Sequence, residues 1–192
     1  MPNLPTLSVA HEVRAIAQEL IREHHTHLLD ANLLYMFTDQ KRKRCDRVRL
    51  GSAAKMNAMQ RFLASGMDSV EDGPDFVILI DSNEWSGLGN AARHALVDHE
   101  LSHCALFVNN TDPPTWRRIE PGENSEDFID QRWGMRGHDI EEFASVLARH
   151  GFWKADPAEQ QFKVIALQLA LPKDGAVNTS ASNPNPLKDK NR

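Results

Sequence analysis

Residues 75–104 read DFVILIDSNEWSGLGNAARHALVDHELSHC. Within it, Phe76-Val77-Ile78-Leu79-Ile80 is an apolar, β-branched run. Gly73-Pro74 precedes it and Asp81-Ser82-Asn83 follows, which is the pattern of a buried strand. Asn90 can cap a helix whose apolar surface comes from Ala91, Ala95, Leu96, Ala105 and Leu106, so one helix is expected from Asn90 to about Phe107. That helix carries His99-Glu100-Leu101-Ser102-His103, an HExxH motif. Residues four apart lie about 40° apart round a helix, so both imidazoles leave one face and can reach one ion. Glu100 sits beside that face, where its carboxylate can take a proton from a metal-activated water without being a primary ligand. The reading is therefore a Zn2+ site with His99 and His103 as ligands and Glu100 as general base.

A catalytic zinc needs a third protein ligand and an open position. Downstream, Gly137-His138-Asp139-Ile140-Glu141-Glu142-Phe143 offers His138, with Glu141 and Glu142 as alternatives. A helix is expected from His138 to about Arg149, stopped by Gly151, and His138 at its start would project from a fixed backbone. The acidic residues of that first turn also suit the helix dipole without any metal.

Working outward, Ser8 can cap an N-terminal helix whose apolar residues Val13, Ile16, Ala17, Leu20, Ile21, Leu28 and Leu29 recur at helical spacing. Leu33 to Phe37 is either a strand or that helix's tail. Gln40 to Arg49 holds six basic residues and reads as an exposed turn, with a weak strand at Val48 to Leu50. Ala53 to Leu63 reads as a second helix, and Trp116 to Ile119 as a short strand within an irregular stretch from Thr115 to Arg136. A last amphipathic helix is expected from Ala158 to Ala170. From Pro172 the chain has little apolar content and many turn formers, which implies a disordered tail over 172–192 after a domain over 1–171.

His24, His25 and His27 point different ways round a helix and read as surface. His94 lies about 140° from His99 on the motif helix and cannot share its ion. Cys104 reads as packing, and Trp85, Trp116, Trp133 and Trp153 as core or pocket walls. The 192 residues carry 41% hydrophobic and 26% charged side chains, ordinary for a globular domain, and a net charge of −5. That balance argues against a generally basic surface for nucleic acid or anionic membrane. Two cysteines make no disulfide framework. With neither a secretory leader pattern nor an apolar span, the expected location is the cytoplasm.

The run DFVILI, a short loop, then ALVDHELSHC resembles the SprT-like zincin peptidases, in which HExxH is followed by a third His, often in G-H-x-x-x-[FW]. GHDIEEF at 137–143 is similar, with Phe143 displaced by one residue. More closely, the chain resembles the putative phage metallopeptidase family, with its DFV-type strand, DHELxH helix and HDxEEF segment. The resemblance spans about residues 33–153 and implies a zincin-like, zinc-dependent peptidase domain acting on protein or peptide. For a phage-encoded protein the location becomes the host bacterial cytoplasm. With two cysteines, a C-terminal zinc ribbon of the SprT type is not expected.

The expected architecture is thus α+β, with a small mixed sheet packed on the HExxH helix and the helix at 138–149 completing the site. Strand 76–80 is expected beside the cleft, where its edge can bind an extended substrate by main-chain hydrogen bonds. Two alternatives stand beside the peptidase. One is a non-catalytic, metal-stabilised binding module contacting DNA through the basic run 41–49. The other is a different metal-assisted hydrolase, because HExxH does not name the bond cleaved.

Overall fold

In chain order the elements are β1 (Leu7–Val9), α1 (His11–His24), β2 (Leu33–Thr38), β3 (Lys43–Arg44), β4 (Arg47–Val48), β5 (Gly51–Lys55) and α2 (Ala58–Ala64). They continue with β6 (Phe76–Asp81), α3 (Ser82–Gly87), α4 (Asn90–Ser102), β7 (Cys104–Asn109), β8 (Arg117–Arg118), β9 (Asp130–Met135) and α5 (Ala144–His150). This computed structural model describes residues 4–40, 43–44, 47–67, 69–120, 122–138, 143–151 and 153. The expected helix at 158–170, the tail at 172–192, Cys45, and the side chains of the basic run 41–48 lie outside the described residues.

The fold is α+β with a mixed sheet. The main sheet has the order β1-β2-β6-β5, in which β2 and β6 are parallel and both outer pairings are antiparallel. A three-stranded antiparallel sheet has β7 between β8 and β9. The apolar run at 76–80 is indeed a strand, and its alternation decides which face is covered. Phe76, Ile78 and Ile80 are fully buried, while Val77 and Leu79 are half-buried. On that core face lie Val13, Ala17, Leu20 and Ile21 of α1 and Leu96, Val97 and Leu101 of α4. Each such Val, Leu or Ile side chain contributes about 1.5–3 kcal/mol on leaving water, so α4 is held to the sheet along its whole inner stripe.

Several expectations are corrected. Ser8 is in β1, and α1 begins after Ala10. Residues 53–55 are not helical: they belong to β5, and the helix α2 starts at Ala58 behind a capping box made by Asn57 and Gln60. The motif helix stops at Ser102, because residues 104–109 leave it as β7 and pair with β9. The stretch before Arg136, read as irregular, contains β9. His138 lies in coil after β9, and the following helix starts only at Ala144. Strand 76–80 does not offer an edge to substrate. It is an inner strand, hydrogen-bonded to β2 on one side and β5 on the other, and β5 is the terminal strand. Among the described residues no helix is long and apolar enough to cross a membrane.

Candidate metal centre

His99 leaves the last turn of α4 and His103 is that helix's C-cap, still in right-handed helical conformation (φ −73°, ψ −26°). The helical spacing of His99 and His103 is therefore kept although the helix ends at Ser102. The two rings stand edge to face with centroids 5.1 Å apart. His138 arrives from the other direction. At the end of β9, the Arg136 amide donates to the His103 carbonyl (2.8 Å) and the His103 Nδ1–H donates to the Arg136 carbonyl (2.8 Å). This reciprocal pair ties the last motif residue to the chain two residues before His138.

The outcome is one cluster. Among the described residues, His99, His103 and His138 form the group able to hold a metal ion, with their ligand nitrogens all within 4.8 Å of one another. The Nε2 atoms of His99 and His138 are 3.2 Å apart. A tetrahedral zinc with Zn–N bonds of about 2.0–2.1 Å separates its nitrogens by about 3.3 Å, so the spacing fits. The donor chemistry fits too: with Nδ1–H of His103 committed to a carbonyl, Nε2 is left as the lone-pair nitrogen, the usual arrangement behind a metal-bound histidine. His99 is 7% exposed, His103 half-buried and His138 exposed, so the cluster is open to solvent on the His138 side.

Glu100 is 3% exposed and lies against β5. Gly51 makes this possible: a Cβ there would stand 2.6 Å from Glu100 Oε1 and 2.9 Å from Ile80 Cδ1. Only a residue without a side chain lets the strand come this close to the carboxylate. Gly51→Ala is expected to lower stability by about 1–3 kcal/mol through overpacking and to displace the Glu100 carboxylate. A denaturant melt of the two proteins measures the first effect; an unchanged midpoint would mean that the site absorbs the methyl without moving.

Phe143, fully buried, closes the floor. Its ring centroid lies 5.4, 4.8 and 5.0 Å from those of His99, His103 and His138. The Arg136 guanidinium stacks on it at 4.8 Å, and Trp153 stands 6.3 Å from His99. Glu141 and Glu142, the alternative ligands, lie outside the described residues.

The other sequence candidates separate. His94 hydrogen-bonds the Asn90 carbonyl within its own helix. Cys104 is buried and its thiol is pushed up in pKa, by burial and then by the charge of Glu100. Trp85 is core, Trp133 packs on Phe76, and Trp116 carries the Arg132 guanidinium at 4.1 Å. The surface reading of the 24–27 histidines is wrong for two of them. His25 is buried and bonded to Asp98, and His27 donates from Nε2 to the Cys104 carbonyl (3.1 Å), with its pKa lowered mainly by burial. A cleft of about 1090 Å3 near Arg136 is lined by His27, Arg118, Trp133 and Arg149, and none of the three clustered histidines lines it.

Sequence reading missed Asp98. Its side chain is 0% exposed and collects bonds from His25, Arg149 and His150. Burial pushes its pKa up, but the hydrogen bonds and charges of His25 and Arg149 outweigh that and hold it below the usual carboxylate range.

An α+β domain with an HExxH helix and a third histidine brought to it is the setting of a metallopeptidase-type centre. A family model described as Putative phage metallopeptidase matches residues 6–163, and the chain belongs to that family. Searches of curated proteins and of solved structures returned no match.

Proposed function

We propose that the protein is a zinc-dependent peptidase with a zincin-like active site. The observation that carries this reading is the meeting of three imidazoles from two chain segments within 4.8 Å, with the buried Glu100 next to His99 in the chain. His99, His103 and His138 would hold the ion. Bound Zn2+ supplies Lewis acidity toward a carbonyl oxygen and lowers the pKa of a coordinated water toward neutrality.

The chain's own groups do the rest. Glu100 accepts a proton at its carboxylate and returns one to the amine nitrogen as the peptide C–N bond breaks. Gly51 keeps the carboxylate close to the end of β5. As the terminal strand of its sheet, β5 can take an extended substrate by main-chain hydrogen bonds. The exposure of His138 supports a catalytic site over a closed structural one, because a structural zinc is enclosed by four protein ligands.

The test is digestion of a peptide library by the purified protein before and after removal of metal. Cleavage is expected, is lost when a chelator strips the metal, and returns when one equivalent of Zn2+ is restored. Cleavage that persists after stripping would contradict the proposal, as would its absence from zinc-loaded protein.

A further inference from the structure

Asp98 immediately precedes His99 on α4, and its buried carboxylate receives four hydrogen bonds. His25 Nε2 donates to Oδ1 (2.7 Å), Arg149 donates from Nε to Oδ2 (2.7 Å) and from Nη2 to Oδ1 (2.6 Å), and His150 Nε2 donates to Oδ2 (2.7 Å). Three of the four come from the last two residues of α5. A two-point guanidinium–carboxylate pair fixes orientation as well as distance, so it sets the angle at which α5 lies on α4.

The other end of α5 is Phe143, whose carbonyl accepts from the amides of Val146 and Leu147. Arg149 lies about 9 Å further along the same helix. Phe143 is the ring on which all three clustered histidines rest. The contacts form a closed circuit: Asp98 on α4, Arg149 and His150 on α5, Phe143 at the start of α5, and back to the imidazoles. Two of those imidazoles are already held by α4. The exposed third, His138, gains most from a fixed Phe143.

We propose that Asp98, through Arg149 and His150, is the positioning residue of the third ligand, setting Phe143 so that His138 is held against His99 and His103. This rests on the reading of those three histidines as ligands.

Asp98→Ala would strand buried donors and invites unfolding, so the test uses Arg149, whose side chain is 24% exposed. Wild type, Arg149→Ala, Arg149→Lys, His138→Ala and the double variant Arg149→Ala/His138→Ala are compared. The probe is Co2+ alone, read by chelator competition and by its visible absorption. The melting temperature of each metal-free protein is the control for folding. Removing a partner behind a metal ligand typically costs about 10–100-fold in affinity, and that loss is expected for Arg149→Ala, with Arg149→Lys in between. The double variant should bind no more weakly than His138→Ala, because Arg149 acts through His138. Should Arg149→Ala fail to fold, His150→Gln replaces it in both backgrounds.

Wild-type Co2+ affinity and an unchanged spectrum in Arg149→Ala, with only a lower melting temperature, would overturn the proposal. So would equal losses with and without His138. Failure of the ligand reading shows separately, as no Co2+ binding by wild type or undiminished binding by His138→Ala, and takes this proposal with it.

Discussion

Glu100→Gln is expected to keep the fold and the zinc while lowering peptide hydrolysis by about 10²–10⁴-fold, the usual loss on removing a general base. The amide is nearly the size of the carboxylate, and it would sit in the same recess against Gly51. Packing should therefore change little. What changes is basicity: an amide oxygen cannot take the proton. The comparison also controls for contaminating peptidases. A peptide library cut by wild type and left whole by Glu100→Gln supports the assignment. Equal cleavage by both proteins, at equal zinc content, would remove Glu100 from the mechanism.

The second large effect concerns metal affinity. His138→Ala is expected to weaken zinc binding by more than the roughly 10–100-fold typical of losing a group behind a ligand, because a direct bond is lost. Glu141→Ala and Glu142→Ala should bind as wild type does. His138 already stands with Nε2 3.2 Å from that of His99, so nothing has to move to complete the triad. Zinc titration against a chromophoric chelator separates the cases. Retained affinity in His138→Ala, with loss in either glutamate variant, would transfer the third bond to that carboxylate.

The site was more legible in the sequence than the elements that carry it. HExxH encodes its geometry in five consecutive residues of helical backbone, so the proximity of His99 and His103 needs no knowledge of the fold. His138 is legible as one of three candidates in Gly137–Phe143 because the pattern puts it at a helix start, although that helix begins only at Ala144. The strands around the site were harder. Gly51–Lys55 reads GSAAK, where alanine and lysine favour helix; pairing with β6 overrides that preference. Cys104–Asn109 is an apolar run whose periodicity does not distinguish a strand from a continued buried helix, so the sequence pattern extends the motif helix past its true end at Ser102. Asp130–Met135 reads DQRWGM and carries almost no apolar alternation, because both of its faces are largely exposed.

The Asp98 cluster was illegible for a different reason. Its partners lie 73, 51 and 52 residues away in sequence, and only the packed fold shows that they converge. One signal was present. His25 stands four residues after Ile21 on the buried stripe of α1, so a helical continuation would place it inside. A histidine there needs a buried partner, and the acidic residue beside the motif supplies it.

The proposed activity requires a single zinc held by three protein ligands with one position left open. The most direct measurement is a crystal structure of zinc-loaded protein with anomalous scattering recorded on both sides of the zinc edge. One zinc peak is expected, bonded to nitrogens of His99, His103 and His138, with its fourth position facing solvent and Glu100 beside it. A fourth protein ligand closing the site, or a zinc peak away from these histidines, would contradict it.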